Sequence, residues 1–213
     1  FGGCQEGGDI FKFVMKIEGL EFREALTLLA GRAGVVLKKE DPSVRSERNR
    51  LYDICEEAAR VFEKNFLQTP GAKAYMEKRG VHDISIREFR IGFAPESWNF
   101  LLEALEKRGY KKEEMEKTGL LIKSQERSGW YDRFRSRIIF PVTDANGRVI
   151  GFGGRIFEPE AGGRKPEDAR AEAKYINTPQ TMIYDKSRAL YGFDKAKNDI
   201  RLTQSVVVVE GYM

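Results

Sequence analysis

The side chains best suited to chemistry in this sequence are cations and tyrosines gathered in its C-terminal half, followed by one carboxylate. Residues 133–155 read RFRSRIIFPVTDANGRVIGFGGR. Arg133, Arg135 and Arg137 recur at the two-residue period of a strand, so an extended segment would turn all three to one face. That face suits a polyanion, and it equally suits an exposed edge strand whose charges block edge-to-edge pairing. Arg155 follows Gly151, Gly153 and Gly154, glycines accepted within a strand where another backbone or a ligand comes close. Lys174, Tyr175, Asn177 and Lys186 stand in KYINTPQTMIYDKSRALY, which reads as an ordered loop running into a short helix. Pro179 breaks what precedes it, and Asp185 or Ser187 is placed to cap a helix carrying Ala189 and Leu190 inward. Tyr175 can stack on a base and Asn177 can hydrogen-bond a base or sugar, or both can brace the loop. Glu210 ends the run SVVVV, where open α/β sheets place catalytic groups; taken alone, it is as readily a surface or capping residue.

Three further residues have chemistry to weigh. Arg79 falls in the last turn of a helix expected over 70–80, where a cation offsets the C-terminal dipole. Cys4 lies in a Gly-rich start that reads as half a zinc knuckle, yet zinc takes about four ligands and one cysteine cannot hold it alone. In isolation Cys4 is a small hydrophobe. His82, the single histidine, has no acidic or cysteine partner at ligand spacing and takes a surface or capping role.

These groups need a frame. Asn146-Gly147 is a strong hairpin signal between the apolar β-branched runs 137–142 and 148–155. Upstream, residues 51–67 carry Leu51, Ile54, Ala58, Val61, Phe62 and Phe66 on one helical stripe, with Cys55 beside it in the core. Residues 84–95 read as a short helix then a strand, Ser97 as the cap of a helix through Leu101, Leu102 and Leu105, 111–119 as a solvated helix, and 120–122 as a return to the sheet. Near the start, Asp9 caps a helix expected to bury Ile10, Phe13, Val14 and Ile17, and a second helix is expected to bury Phe22, Ala25, Leu26 and Leu29. Residues 38–50 are nearly free of apolar side chains and read as a solvated linker; 158–173 read as a mobile loop.

Composition narrows the classes. A chain of 213 residues can bury one sizeable core and a small second one. No apolar run approaches the ~20 residues of a spanning helix. Two cysteines are too few for a disulfide framework, which favours a reducing, cytoplasmic setting. A net charge of +4 permits a nucleic-acid partner without demanding one. Both ends read as cut: the start lacks a methionine, and the chain stops four residues after a buried-strand pattern, where a crossover helix is expected.

In this order and spacing, RIIFPV, GRVIGFGGR, KYINTP, KSRALYG and VVVVEGYM resemble the RNA-polymerase domain of bacterial DnaG-type primases. The opening FGGCQEGGDIFKFVM resembles the end of that family's zinc-binding domain. The family separates two cysteines by two residues, whereas Phe1 stands three before Cys4, so either a one-residue insertion puts the partner before Phe1 or that ligand is absent. The resemblance implies an α+β fold: helices with a mixed or antiparallel sheet, including the basic β-hairpin, running into the first strand of a TOPRIM-type α/β fold. It divides the chain into 1–37, the C-terminal part of a zinc-binding domain; 38–50, a linker; 51–203, the N-terminal subdomain of the polymerase domain; and 204–213, the first TOPRIM strand.

The implied activity is copying of single-stranded DNA into short RNA primers from ribonucleoside triphosphates, a 3′-hydroxyl attacking an α-phosphate with pyrophosphate leaving. It implies that Arg79, Arg155, Lys174, Tyr175, Asn177 and Lys186 contact template or nucleotide. Arg79 gains this role because YMEKRGV matches the family's helix end. Glu210 is implied as the first catalytic carboxylate and a Mg2+ or Mn2+ ligand, and Cys4 as an orphaned Zn2+ ligand, most ligands for both metals lying outside these residues. A fragment so divided is expected to make no primers alone. Implied partners are the template, the RNA–DNA hybrid product, the replicative helicase and single-strand-binding protein. Two other classes fit parts of the pattern: a non-catalytic single-strand-binding module, and another TOPRIM enzyme such as a topoisomerase or nuclease, which would share Glu210 and little upstream.

Overall fold

The structure, a computed structural model, describes residues 7–36, 42–124, 129–157 and 173–213. It divides into two units, residues 1–45 and 46–213. In the first, α1 (Ile10–Glu18) starts at Asp9, whose carboxylate accepts the Lys12 N–H at 2.9 Å, and stops at Gly19 with φ 66°. The helix α2 (Phe22–Arg32) opens on a capping box of Glu21 and Glu24. The expected core is only partly formed: Val14 and Ala25 are buried, but Ile10, Phe13, Ile17 and Phe22 are exposed. Two short helices cover one line of contact between them, and a wide apolar stripe needs a further layer that no described residue of this unit supplies.

The second unit begins in α3 (Pro42–Leu67). Helix therefore occupies 42–50, where a linker was expected: Pro42 fits a first helical turn, and few apolar residues mark a solvated turn as readily as coil. From Leu51 onward α3 buries the expected stripe, with Cys55 fully enclosed. Next come α4 (Pro70–Lys78), α5 (Asp83–Glu88), β1 (Gly92–Ala94), α6 (Phe100–Glu106), α7 (Lys112–Lys117), β2 (Leu121–Lys123) and β3 (Trp130–Asp132). The hairpin strands β4 (Arg137–Thr143) and β5 (Val149–Ile156), then β6 (Tyr175–Asn177) and α8 (Phe193–Thr203), complete the unit. Strands β1, β4, β5 and β6 form an antiparallel sheet in the order β1-β4-β5-β6. Residues 121–123 do not rejoin it; β2 pairs with β3 as a separate ribbon.

The hairpin closes as read. Gly147 adopts φ 81°, and the Asp144 carboxylate accepts the N–H groups of Asn146 and Arg148, at 2.8 and 3.0 Å. Along the outer edge, α3 lies so close to β1 that a Cβ on Gly92 would stand 2.5 Å from Phe62 Cβ, and Asn65 donates to the Phe93 carbonyl at 2.9 Å. The helix thus covers an edge that would otherwise offer free pairing groups.

Paired residues of antiparallel strands share a face, so the register gives each face its identity. On one, Ile139 and Phe152 pack with Ile54, Ala58 and Phe62 of α3 and with Leu105 and Met115. On the other, Phe93, Ile138 and Phe140 pack with Phe66, Ala72, Met76 and Ile86. Arg155 lies in the second face beside Ile138 and Tyr175, and Gly153 lies beside Phe140 and Asn177.

Several expectations fail for local reasons. The Arg133, Arg135 and Arg137 face does not exist, because Ser136 has φ 47° and only Arg137 enters β4. Arg133 donates from Nε to the Gly119 carbonyl at 2.7 Å, Arg135 donates to the Asp132 carbonyl, and Arg137 is 4% exposed. Helix α6 is capped by Asp132 rather than Ser97: its carboxylate accepts the Leu101 and Leu102 N–H groups at 2.7 and 3.0 Å. Asp185 closes a turn on Ser187 and no helix follows until α8. Residues 205–209 form no strand, and Val207 is 88% exposed. A buried parallel strand needs partners on both sides, and no described strand pairs with this run.

Candidate nucleic-acid interface

Arg155 is the centre of the candidate site. It is 7% exposed, yet among the described residues it meets no carboxylate. Its Nε donates to Tyr75 Oη at 2.9 Å and its Nη1 to Tyr175 Oη at 2.5 Å, while the guanidinium carbon stands 5.1 Å from the centre of the Tyr175 ring. Helix α4 carries Tyr75, and Arg79 follows one turn later as its C-cap residue. The Arg79 guanidinium stacks 4.7 Å above the Tyr75 ring, and the ring's other neighbour is Phe157, edge-on at 5.4 Å. The result is a chain of alternating cations and phenols: Arg79 stacked on Tyr75, the Tyr75 hydroxyl accepting from Arg155, and Arg155 against Tyr175.

The stack continues across the sheet. Tyr175 and Tyr212 have ring centres 6.0 Å apart, and Tyr212 donates to Asn177 Oδ1 at 2.7 Å. Tyr212 lies over Gly153, where a Cβ would come within 2.4 Å of its ring, and stacks on Phe140 at 5.1 Å. This resolves the glycines of β5: aromatic rings, rather than a backbone or ligand, occupy their space, with Phe134 against Gly154 and Tyr184 against Gly151. Burial pushes the Tyr212 hydroxyl up to about 12, so it remains protonated and able to donate at neutral pH.

Of the sequence-derived residues, the structure thus brings together Arg79, Arg155, Tyr175 and Asn177. Lys174 borders them, exposed, with its carbonyl accepting the Ile156 N–H at 3.0 Å. Lys186 is exposed in the turn after Asp185 and makes no contact with this group. Glu210 is exposed and two residues from the anchored Tyr212. Among the described residues no three histidine, cysteine or acidic side chains are grouped to hold a metal. Cys4 lies outside the described residues. Cys55 is sealed in the core with its thiol pushed upward by burial, which removes it as a zinc ligand.

The sequence pattern placed Tyr75 only inward on its helix, with Met76, and offered no role for Tyr212. The available signals were the four-residue spacing from Tyr75 to Arg79, which puts both on one side of a helix, and a glycine-stripped strand in need of a large partner. It also passed over Trp98, an exposed ring stacked 4.2 Å from the Arg135 guanidinium. The same guanidinium lies 5.3 Å from the Tyr131 ring, which meets Trp98 edge-on at 5.4 Å.

Comparison with known proteins places this arrangement. Residues 61–197 match the family described as DNA primase catalytic core, N-terminal domain. The chain belongs to this family. Residues 1–45, the span of the first unit, match the family described as CHC2 zinc finger. A DNA primase of Streptomyces coelicolor is 41% identical over 99% of the chain, which covers 32% of that relative. One from Halalkalibacterium halodurans is 39% identical over 99%, covering 34% of it. The chain therefore spans about a third of the length of these curated relatives.

Among solved structures, the zinc-binding and RNA polymerase domains of Aquifex aeolicus primase align over 99% of this chain and 48% of theirs, with 31% identity and a TM-score of 0.66. The RNA polymerase domain of Mycobacterium tuberculosis DnaG, in complex with a double-stranded DNA oligomer bearing an overhang, aligns over 77% of this chain and 49% of its own, at 36% identity and TM-score 0.66. These neighbours agree with the antiparallel α+β fold. Within the primase match, the Arg155 stack is wholly inside residues 61–197 except for Tyr212, and Glu210 lies beyond it.

Proposed function

We propose that this chain forms the template-guiding part of a bacterial primase, serving synthesis of short RNA primers from ribonucleoside triphosphates on single-stranded DNA. The observation that carries the reading is Arg155, a buried cation whose described partners are two phenols. The two phenol oxygens accept hydrogen bonds but supply no counter-charge, and the arrangement makes sense where a phosphate completes it. Arg79 and Lys174 stand beside it as further phosphate contacts, Tyr175 offers a stacking face, and Asn177, fixed by Tyr212, keeps its amide N–H groups for a base or sugar. Lys186, exposed in a separate turn, is a further candidate contact for template or nucleotide.

Glu210 is the first carboxylate of the catalytic centre in this reading. When bound there, Mg2+ or Mn2+ would neutralise charge developing on the reacting phosphate. The residues of this chain do the binding and orienting around it, and one carboxylate leaves the chain inactive alone. The zinc-finger unit would contribute Cys4 as one Zn2+ ligand. The replicative helicase and single-strand-binding protein are the proposed partners, and the bacterial cytoplasm is the proposed setting. Among the described residues no helix is long and apolar enough to cross a membrane.

Fluorescence anisotropy with a labelled oligothymidylate over a salt series tests the reading. Binding should weaken steeply with salt, and Arg155→Ala or Lys174→Ala should each lower the slope of log affinity against log salt by about 0.7. Lys107→Ala, on an exposed residue far from the stack in sequence, should leave the slope unchanged. Equal small effects from all three would show a diffuse positive field and remove the site.

A further inference from the structure

We infer that Tyr75 is a positioning residue for the template: its hydroxyl aims Arg155 and its ring seats Arg79, so that one side chain sets two phosphate contacts. The inference rests on the template reading and deepens it. Arg155 has five N–H donors in a planar fork, and two of them are spent on Tyr75 and Tyr175. The Tyr75 bond takes Nε, the donor nearest the stem. That choice fixes the rotation of the guanidinium about its long axis and leaves the Nη2 donors unbonded by any described residue. Tyr75 acts at the same time on its own helix, where its ring holds Arg79 through the cation–π contact at 4.7 Å. The ring is in turn fixed by Phe157, which makes an edge-on contact with Phe93 at 5.1 Å.

The bond crosses between the second helix of this unit and the central sheet, residues eighty apart in sequence. Arginine side chains carry large rotamer freedom, and two contacts that share one rigid aromatic anchor lose less of it on binding. The hydroxyl and the ring have separable jobs. Tyr75→Phe removes the bond to Arg155 and keeps the ring for Arg79; Tyr75→Leu removes both.

The test uses the same chain and the same labelled oligothymidylate, with thermal unfolding of each variant as the control for folding. Arg155→Ala should weaken binding about tenfold, the scale of a lost charge-assisted hydrogen bond. Tyr75→Phe should reproduce most of that loss and the same fall in salt slope, about 0.7, at a nearly unchanged melting temperature. Adding Tyr75→Phe to Arg155→Ala should cost nothing more, since coupled residues are non-additive. Tyr75→Leu should lower the slope by about 1.4, the value for two contacts.

If Tyr75→Phe binds like the parent while Arg155→Ala is weak, or if the two losses simply add, Tyr75 is packing only and the inference is overturned with the template reading intact. If Arg155→Ala itself binds like the parent, the template reading falls and takes this inference with it.

Discussion

Arg137 and Arg155 lie on neighbouring strands, are almost equally buried at 4% and 7%, and face opposite sides of one sheet. Among the described residues their acceptors differ in kind. Arg137 Nη1 donates to the carbonyls of Ala173, at 3.0 Å, and of Gly154 and Lys174, at 3.4 Å. Those oxygens can only accept, so Arg137 ties β4 to β5 and to the segment entering β6. Arg155 donates to phenols, which still have protons of their own to give. A guanidinium and two hydroxyls together make a donor-rich patch with no carboxylate beside it among the described residues. Burial does not distinguish structural from binding arginines here; the chemistry of the acceptor does.

The contrast breaks most readily on stability. Arg137→Ala should cost about 3 kcal/mol in urea unfolding, because it strands buried carbonyls and opens the junction of three strands. Arg155→Met, which keeps the stem volume, should cost less than about 1 kcal/mol, since exchanging a buried charge that has no described counter-ion for an apolar group is close to neutral. Equal losses would mean that Arg155 is a staple like Arg137.

A buried carboxylate sharpens the same point at a smaller scale. Asp132 spends both oxygens on the first N–H groups of α6, yet burial lifts its carboxyl from an ordinary 3.8 to about 6. The folded chain therefore binds more protons than the unfolded one between these values, and stability contributed by this group falls as pH rises from about 4 to about 6. Asp132→Ala should cost about 2 kcal/mol by orphaning two buried N–H groups. It should also flatten that part of the pH–stability curve, measured by urea titration; an unchanged curve would assign the pH dependence to another group.

What could be read in the sequence was local. Asn146-Gly147 marked the turn, the spacing of Leu51, Ile54, Ala58 and Phe62 marked α3, and Asp9 marked the start of α1, because each depends on neighbours within one turn. The misreadings depend on distance or on one dihedral angle. Nothing near Ser136 announces a left-handed backbone, and that single φ converts a three-arginine face into separate contacts. The Asp132 cap reaches back 31 residues to Leu101, over the nearer Ser97. Arg155 was found as a candidate, but its dependence on Tyr75 could not be read from periodicity. The valine run 206–209 has the composition of a buried strand, and composition does not supply the neighbouring strands.

Tyr212 gives the terminal segment a thermodynamic voice in the sheet. Its ring fills the space above Gly153 and its hydroxyl holds Asn177, so displacing residues 210–213 would uncover a glycine and release the amide at once. Such coupling is reciprocal: whatever engages Asn177 in its held orientation must also favour the docked tail, by the same free energy. Gly153 thereby makes occupancy at the sheet and order in the chain that follows Glu210 two readings of one equilibrium.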